Sequence, residues 1–118
     1  MTTAFHPKLR SIGKNLTAGT SNVLYTCPTN YTSKAVLLLV SNGTSGNKTI
    51  TLQWYDTTTS ESYSITNGYV LSAYGFLIFD QSYLVLNSGD YITATPEAGS
   101  TMSSIFTVEE YFDPSNKE

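Results

Sequence analysis

Three consecutive stretches decide the fold: Ala35-Val-Leu-Leu-Leu-Val40, then Ser41-Asn-Gly-Thr-Ser-Gly-Asn47, then Thr49-Ile-Thr-Leu-Gln-Trp54. In the third, Ile50, Leu52 and Trp54 alternate with Thr49, Thr51 and Gln53, the period of a strand with one buried and one wet face. The second is a cluster of turn-forming residues. Strand signals on either side of it predict an antiparallel hairpin. The first stretch breaks the alternation, because it is apolar on both faces. Such a strand either lies centrally with its outer side covered by the chain's own loops, or turns one face to another subunit. Left bare, it is an aggregation hazard.

The same reading extends outward. Residues 23–26 form a strand stopped by Pro28, and residues 34–40 form the next. Beyond the polar loop Asp56-Thr-Thr-Thr-Ser60, Tyr63 and Ile65 alternate with Ser and Thr as far as an Asn67-Gly68 turn. Residues 69–71, 75–79, 83–86, 91–95 and 104–112 supply further short strands between Gly, Asn, Asp, Pro and Ser. Eight or nine short strands at this spacing predict an all-β chain, an antiparallel β-sandwich of jelly-roll or immunoglobulin-like type. A parallel α/β layout is excluded, since no helical crossover fits. Phe5, Leu9, Ile12 and Leu16 fall at helical spacing, but Pro7 and Gly13 oppose a helix there. The expectation is an extended N-terminal arm over residues 1–20, joining a sheet at Leu16, then a sandwich over 21–112 and a tail over 113–118.

Composition narrows the function. A chain of 118 residues, 40% hydrophobic and 13% charged, is one domain large enough to bury a core without staples. Ser, Thr and Asn make up about a third of it and there are nine tyrosines, a balance that favours strands and turns. The first half carries about +5 and the remainder about −8, giving the net charge of −3. Lys8, Arg10 and Lys14 make the arm basic. Three dispersed bases on an acidic chain neutralise few phosphates, so nucleic acid is not an expected partner. The longest apolar run falls far short of the ~20 residues of a membrane span. No basic, apolar, small-residue leader is visible, so the chain is expected to fold where it is made. Asn-x-Thr triplets begin at Asn15, Asn30, Asn42 and Asn47, a frequency that a Thr-rich chain produces by chance.

Catalytic chemistry has little material. His6, the only histidine, lies in the arm, away from any fixed position against a substrate. Cys27, the only cysteine, ends a strand with no base to activate it and reads as a buried, inert thiol. Glu109 and Glu110 are neighbours on a strand and point to opposite faces, so they cannot share a proton. Asp56, Asp80 and Asp90 flank turns, where Asp bonds to nearby backbone. No catalytic, metal or cofactor site is expected. Trp54, Tyr55, Tyr63 and Tyr69 offer a sugar-stacking platform in principle, but Trp54 shares its face with Ile50 and Leu52 and is expected in the core.

Several segments together resemble one family. Val23-Leu-Tyr-Thr-Cys-Pro28, the apolar strand with Ser41-Asn42, Ile50-Thr-Leu52 and Leu86-Asn-Ser-Gly-Asp-Tyr-Ile92 are similar, in order and type, to small β-sandwich structural proteins of tailed bacteriophages. The resemblance covers about residues 22–112. In the last segment Gly89 supplies a positive φ, Asp90 bonds to local amides and Ile92 returns to the core. The resemblance implies a virion protein made in the host bacterial cytoplasm, most specifically a capsid decoration or cement protein. Its partners would be other virion proteins, above all the major capsid protein, and further copies of itself. In that reading Phe5, Lys8, Leu9, Arg10 and Ile12 of the arm order on a neighbouring subunit while a sandwich face seals a junction. The alternatives are a tail, neck or fibre-associated component, or a carbohydrate-binding or host-adhesion module.

Overall fold

A computed structural model describes residues 7–81 and 84–114. It holds nine strands: β1 (Lys8–Leu16), β2 (Asn22–Thr26), β3 (Tyr31–Asn42), β4 (Lys48–Asp56), β5 (Glu61–Leu71), β6 (Phe76–Phe79), β7 (Val85–Leu86), β8 (Tyr91–Pro96) and β9 (Met102–Phe112). Among the described residues there is no helix. Two antiparallel sheets face each other, as the alternation of Ile50, Leu52 and Trp54 requires. Sheet I runs β1-β9-β3-β6, with β7 also paired to β3, and sheet II runs β2-β8-β4-β5. The chain crosses between sheets at most of its connections, which is the winding of a jelly roll rather than of an immunoglobulin-type sandwich.

Two local expectations are corrected. β3 and β4 do not form a hairpin: β3 pairs with β9 and β6, whereas β4 pairs with β8 and β5 in the other sheet. The turn cluster carries the chain across the sandwich, fixed by the buried Asn42. Its amide donates to the carbonyls of Gly46, Leu71 and Ser72, and its oxygen accepts the Thr44 N–H at 2.9 Å. Asn67-Gly68 is likewise not a turn between strands but an irregularity within β5. Gly68 has φ 66°, and pairing shifts between Ile50↔Tyr69 and Leu52↔Thr66. The Thr66 hydroxyl repairs the ladder there, accepting the Leu52 N–H and donating to the Ile50 carbonyl, both at 3.1 Å.

Of the segment expected as an arm, residues 8–16 are indeed extended, and they form an edge strand of sheet I. β1 pairs with β9 from Lys8↔Glu110 through to Leu16↔Met102. Residues 8–16 therefore belong to the sandwich, ahead of the boundary expected at residue 21, because Ile12 and Leu16 supply core contacts. The strand expected over residues 83–86 is described as Val85–Leu86, and Tyr83 lies outside the described residues.

The core lies between the sheets and contains Leu24, Leu38, Val40, Ile50, Leu52, Leu86, Ile92, Phe106 and Val108. Each such aliphatic or aromatic side chain contributes roughly 1.5–3 kcal/mol when fully buried. Trp54 packs against this cluster, as its alternation with the wet residues predicts.

Candidate interaction surface

The five residues expected to bind a partner do not form one face. Phe5 lies outside the described residues, as does His6. Along β1 the side chains alternate. Ile12 is turned toward the core, and Leu9 is 65% exposed on the outer side. Lys8 is exposed. Arg10 is already engaged: its Nε and Nη2 donate to the two Glu110 carboxylate oxygens at 3.2 and 3.1 Å.

Glu110 is the hub of a polar chain that crosses the sandwich. It sits opposite Ser33 on β3 and Lys8 on β1, with its side chain turned inward. The Tyr25 hydroxyl, from sheet II, donates to it. Ser33 lies 2.8 Å from that hydroxyl and donates to it, since the Tyr25 proton is committed to the carboxylate. Cys27 Sγ lies 3.2 Å from Ser33 Oγ and 3.3 Å from the Tyr31 carbonyl. The Arg10 guanidinium also stands 5.8 Å from the Tyr25 ring centre.

Electrostatics follow from this geometry. Burial pushes the Glu110 carboxyl up, but the hydrogen bonds from Arg10 and Tyr25 outweigh it and hold the group below the usual carboxylate range. Burial, and then the adjacent carboxylate, push the Tyr25 phenol well above its ordinary value. Burial also pushes the Cys27 thiol up, against a smaller opposite effect of Ser33. The thiol is buried and predominantly protonated at neutral pH, so it is a poor nucleophile.

Asp90 is a second node. Gly89 has φ 86°, as the turn requires, and places the fully buried Asp90 carboxylate among four donors. These are the N–H groups of Asn87 and Thr57, each at 3.0 Å, the Thr57 hydroxyl at 2.7 Å and Trp54 Nε1 at 3.3 Å. The expectation of bonds to nearby amides is met by Asn87, and Thr57 and Trp54 extend it across the sheet. No buried side-chain nitrogen or oxygen among the described residues lacks a partner. Both polar nodes therefore serve the fold.

What the surface offers is apolar area. An apolar cleft of about 300 Å³ opens between the sheets at the β5 and β6 side, lined by Val36, Leu38, Ile65, Phe79, Leu84 and Phe106 among others. It exists because β6 has four residues and β7 two, so the outer edge of β3 is only partly covered. Elsewhere on these strands and the turn between them, Tyr69 and Val70 of β5 and Phe76 of β6 are exposed, and Tyr74 is 71% exposed and held at φ 58°. A tyrosine in that conformation is uncommon and strained. The outer face of sheet II is polar, with Thr51, Gln53, Thr93 and Thr95 beside a stacked Tyr55–Tyr91 pair whose rings are 4.7 Å apart. The outer face of sheet I is drier, and neither the cleft nor this face follows from strand spacing. Only the doubly apolar run 35–40 signalled that β3 would have something to cover.

No protein-family model and no curated relative matches the chain. Among solved structures it is similar to a protein of the Bacillus endospore appendages, described as a novel family of disulfide-linked pili. The TM-score is 0.55 at 11% identity, over 96% of each chain. At that identity the likeness is one of fold.

Proposed function

We propose that this chain is a non-enzymatic structural protein that acts by docking on other subunits of a large assembly. The observation that carries this reading is the concentration of exposed large apolar side chains, Tyr69, Val70, Tyr74 and Phe76, within one short stretch of a weakly charged sandwich, from the end of β5 to the start of β6. Apolar area concentrated in this way marks contact surfaces. A fold shared with a protein described as part of pili is in keeping with a structural role. A disulfide link between subunits is not available to a buried Cys27, so the contacts proposed are non-covalent.

In its sharper form the reading is a virion protein of a tailed bacteriophage, a capsid decoration or cement protein bound to the major capsid protein. That form rests on the resemblance of the strand and turn pattern over residues 22–112. The test is to quantify the chain in purified particles of the parent phage by mass spectrometry, calibrated against the major shell subunit. An amount comparable to that subunit supports decoration. A few copies per particle move the protein to the tail, neck or fibre, and its absence overturns the virion reading.

A further inference from the structure

The outer face of sheet I carries a second apolar surface. Pairing across the sheet brings Gly13, Ile105, Leu39 and Ile78 into one row running over β1, β9, β3 and β6. Ile105 is 44% and Ile78 39% exposed, and Phe76 stands one step along β6. This is the outward side of the run that is apolar on both faces, and the chain's own described residues lay no further layer over it. We propose that this face packs against the same face of a second copy of the chain, related by a two-fold axis. The proposal rests on the structural-assembly reading and adds to it the surface and the partner.

Three features favour a second copy as occupant. The apolar row itself bears no charge: Lys34 and Glu109 pair at 3.3 Å toward one end of the face, with Asp113 beyond them against Thr32. Two such faces therefore meet without like-charge repulsion at their centre. The hydroxyls that flank the apolar row are paired within the sheet, Ser11 with Thr107 at 2.7 Å and Ser41 with Ser103 at 3.1 Å. Each pair keeps one O–H and spare acceptor capacity, which the same hydroxyls of a facing copy can match across the interface. The area is also sufficient. Strands of this length at ~3.3 Å per residue and ~4.8 Å apart give a face of roughly 600 Å², hence roughly 1,200 Å² for two copies, the lower bound of a stable specific interface. Aligned sheets at ~10 Å then interdigitate the Ile105, Leu39 and Ile78 rows. A two-fold axis near Leu39 sends each Lys34–Glu109 pair to the polar rim.

Sedimentation velocity on the full chain across the micromolar range tests this, with Ile105→Lys and Ile78→Lys on the face and Val70→Lys on β5 as the control. All three positions are substantially exposed, and circular dichroism melts verify that each variant folds. The expected result is a species of twice the 12.9 kDa protomer mass for the wild type and Val70→Lys, and protomers for the two face variants. A monomeric wild type overturns the proposal, as does an assembly that survives in both folded face variants or is lost only in Val70→Lys. A monomer that is nonetheless abundant on particles overturns the face pairing and leaves the structural role. A dimer absent from particles does the reverse for the virion reading.

Discussion

Arg10 on the edge strand and Glu110 on its neighbour are 100 residues apart in sequence, yet they close a two-pronged ion pair that fastens β1 to the sandwich. The arginine is half exposed and the glutamate is buried, so the pair is anchored from the carboxylate side. Its strength comes from geometry and from Tyr25, which adds a third donor to the carboxylate.

A pH dependence follows. The folded-state value of Glu110 lies below its ordinary one, so its contribution is complete above the ordinary carboxylate range. It is lost as pH falls through the depressed folded-state value. Glu110→Gln is expected to lower stability at neutral pH by roughly 1–3 kcal/mol, discounted from a fully buried pair because Arg10 reaches solvent. The variant should also show a shallower loss on acidification. Urea denaturation midpoints from neutral pH down to about pH 3 measure both, since carboxylates titrate in that window. Parallel wild-type and variant curves would refute this assignment.

This tie was not legible in the sequence, and the reason is physical. Alternation along one strand establishes that Glu109 and Glu110 face opposite ways, but which face is inward, and what meets it, depends on β9 lying between β1 and β3. That order is long-range. Local patterns did reveal the alternating β4, the Gly89–Asp90 turn and the doubly apolar β3, because each is set by residues within a few positions. The β3–β4 hairpin expectation failed where a local signal was ambiguous: a turn cluster reverses the chain equally well within a sheet or across a sandwich. Asn42, not the glycines around it, makes the difference, since its bonds to Leu71 and Ser72 reach the connection after β5.

Asn42 therefore supports a sharp prediction. Three carbonyls accept from its amide nitrogen, so Asn42→Asp places a carboxylate against oxygens and is expected to destabilise more than Asn42→Ala. The alanine variant should lose roughly 2–4 kcal/mol from unsatisfied buried carbonyls and lost packing. Thermal melts of the two variants at neutral pH give the order. A more stable aspartate variant would show that the crossing is held by other means.

At Asp90 the isostere is predicted to be nearly as harmful as truncation. Four donors converge on the carboxylate, and an amide in its place turns one acceptor into a donor facing donors. Asp90→Asn and Asp90→Ala are each expected to cost about 3 kcal/mol or more. Guanidinium titrations read the values. An asparagine variant within about 0.5 kcal/mol of wild type, the usual range of an inconsequential substitution, would remove Asp90 from the role of organiser.

Trp54 separates a fold role from a ligand role, and the geometry commits it to the first. Its indole donates to Asp90, its ring lies 5.5 Å from that of Tyr63, and it packs on the core. Trp54→Ala is expected to cost about 3 kcal/mol, the lower end for a large aromatic because the side chain is only partly buried. Trp54→Phe keeps the packing and loses only the Asp90 bond, so it should recover most of that loss. A stacking platform behaves in the opposite way, with stability nearly unchanged and glycan binding abolished by the alanine variant. Calorimetric unfolding of both variants, alongside a glycan array probed with wild type and Trp54→Ala, distinguishes the two. Glycan binding that disappears in a still-stable Trp54→Ala protein would return the adhesion reading to first place.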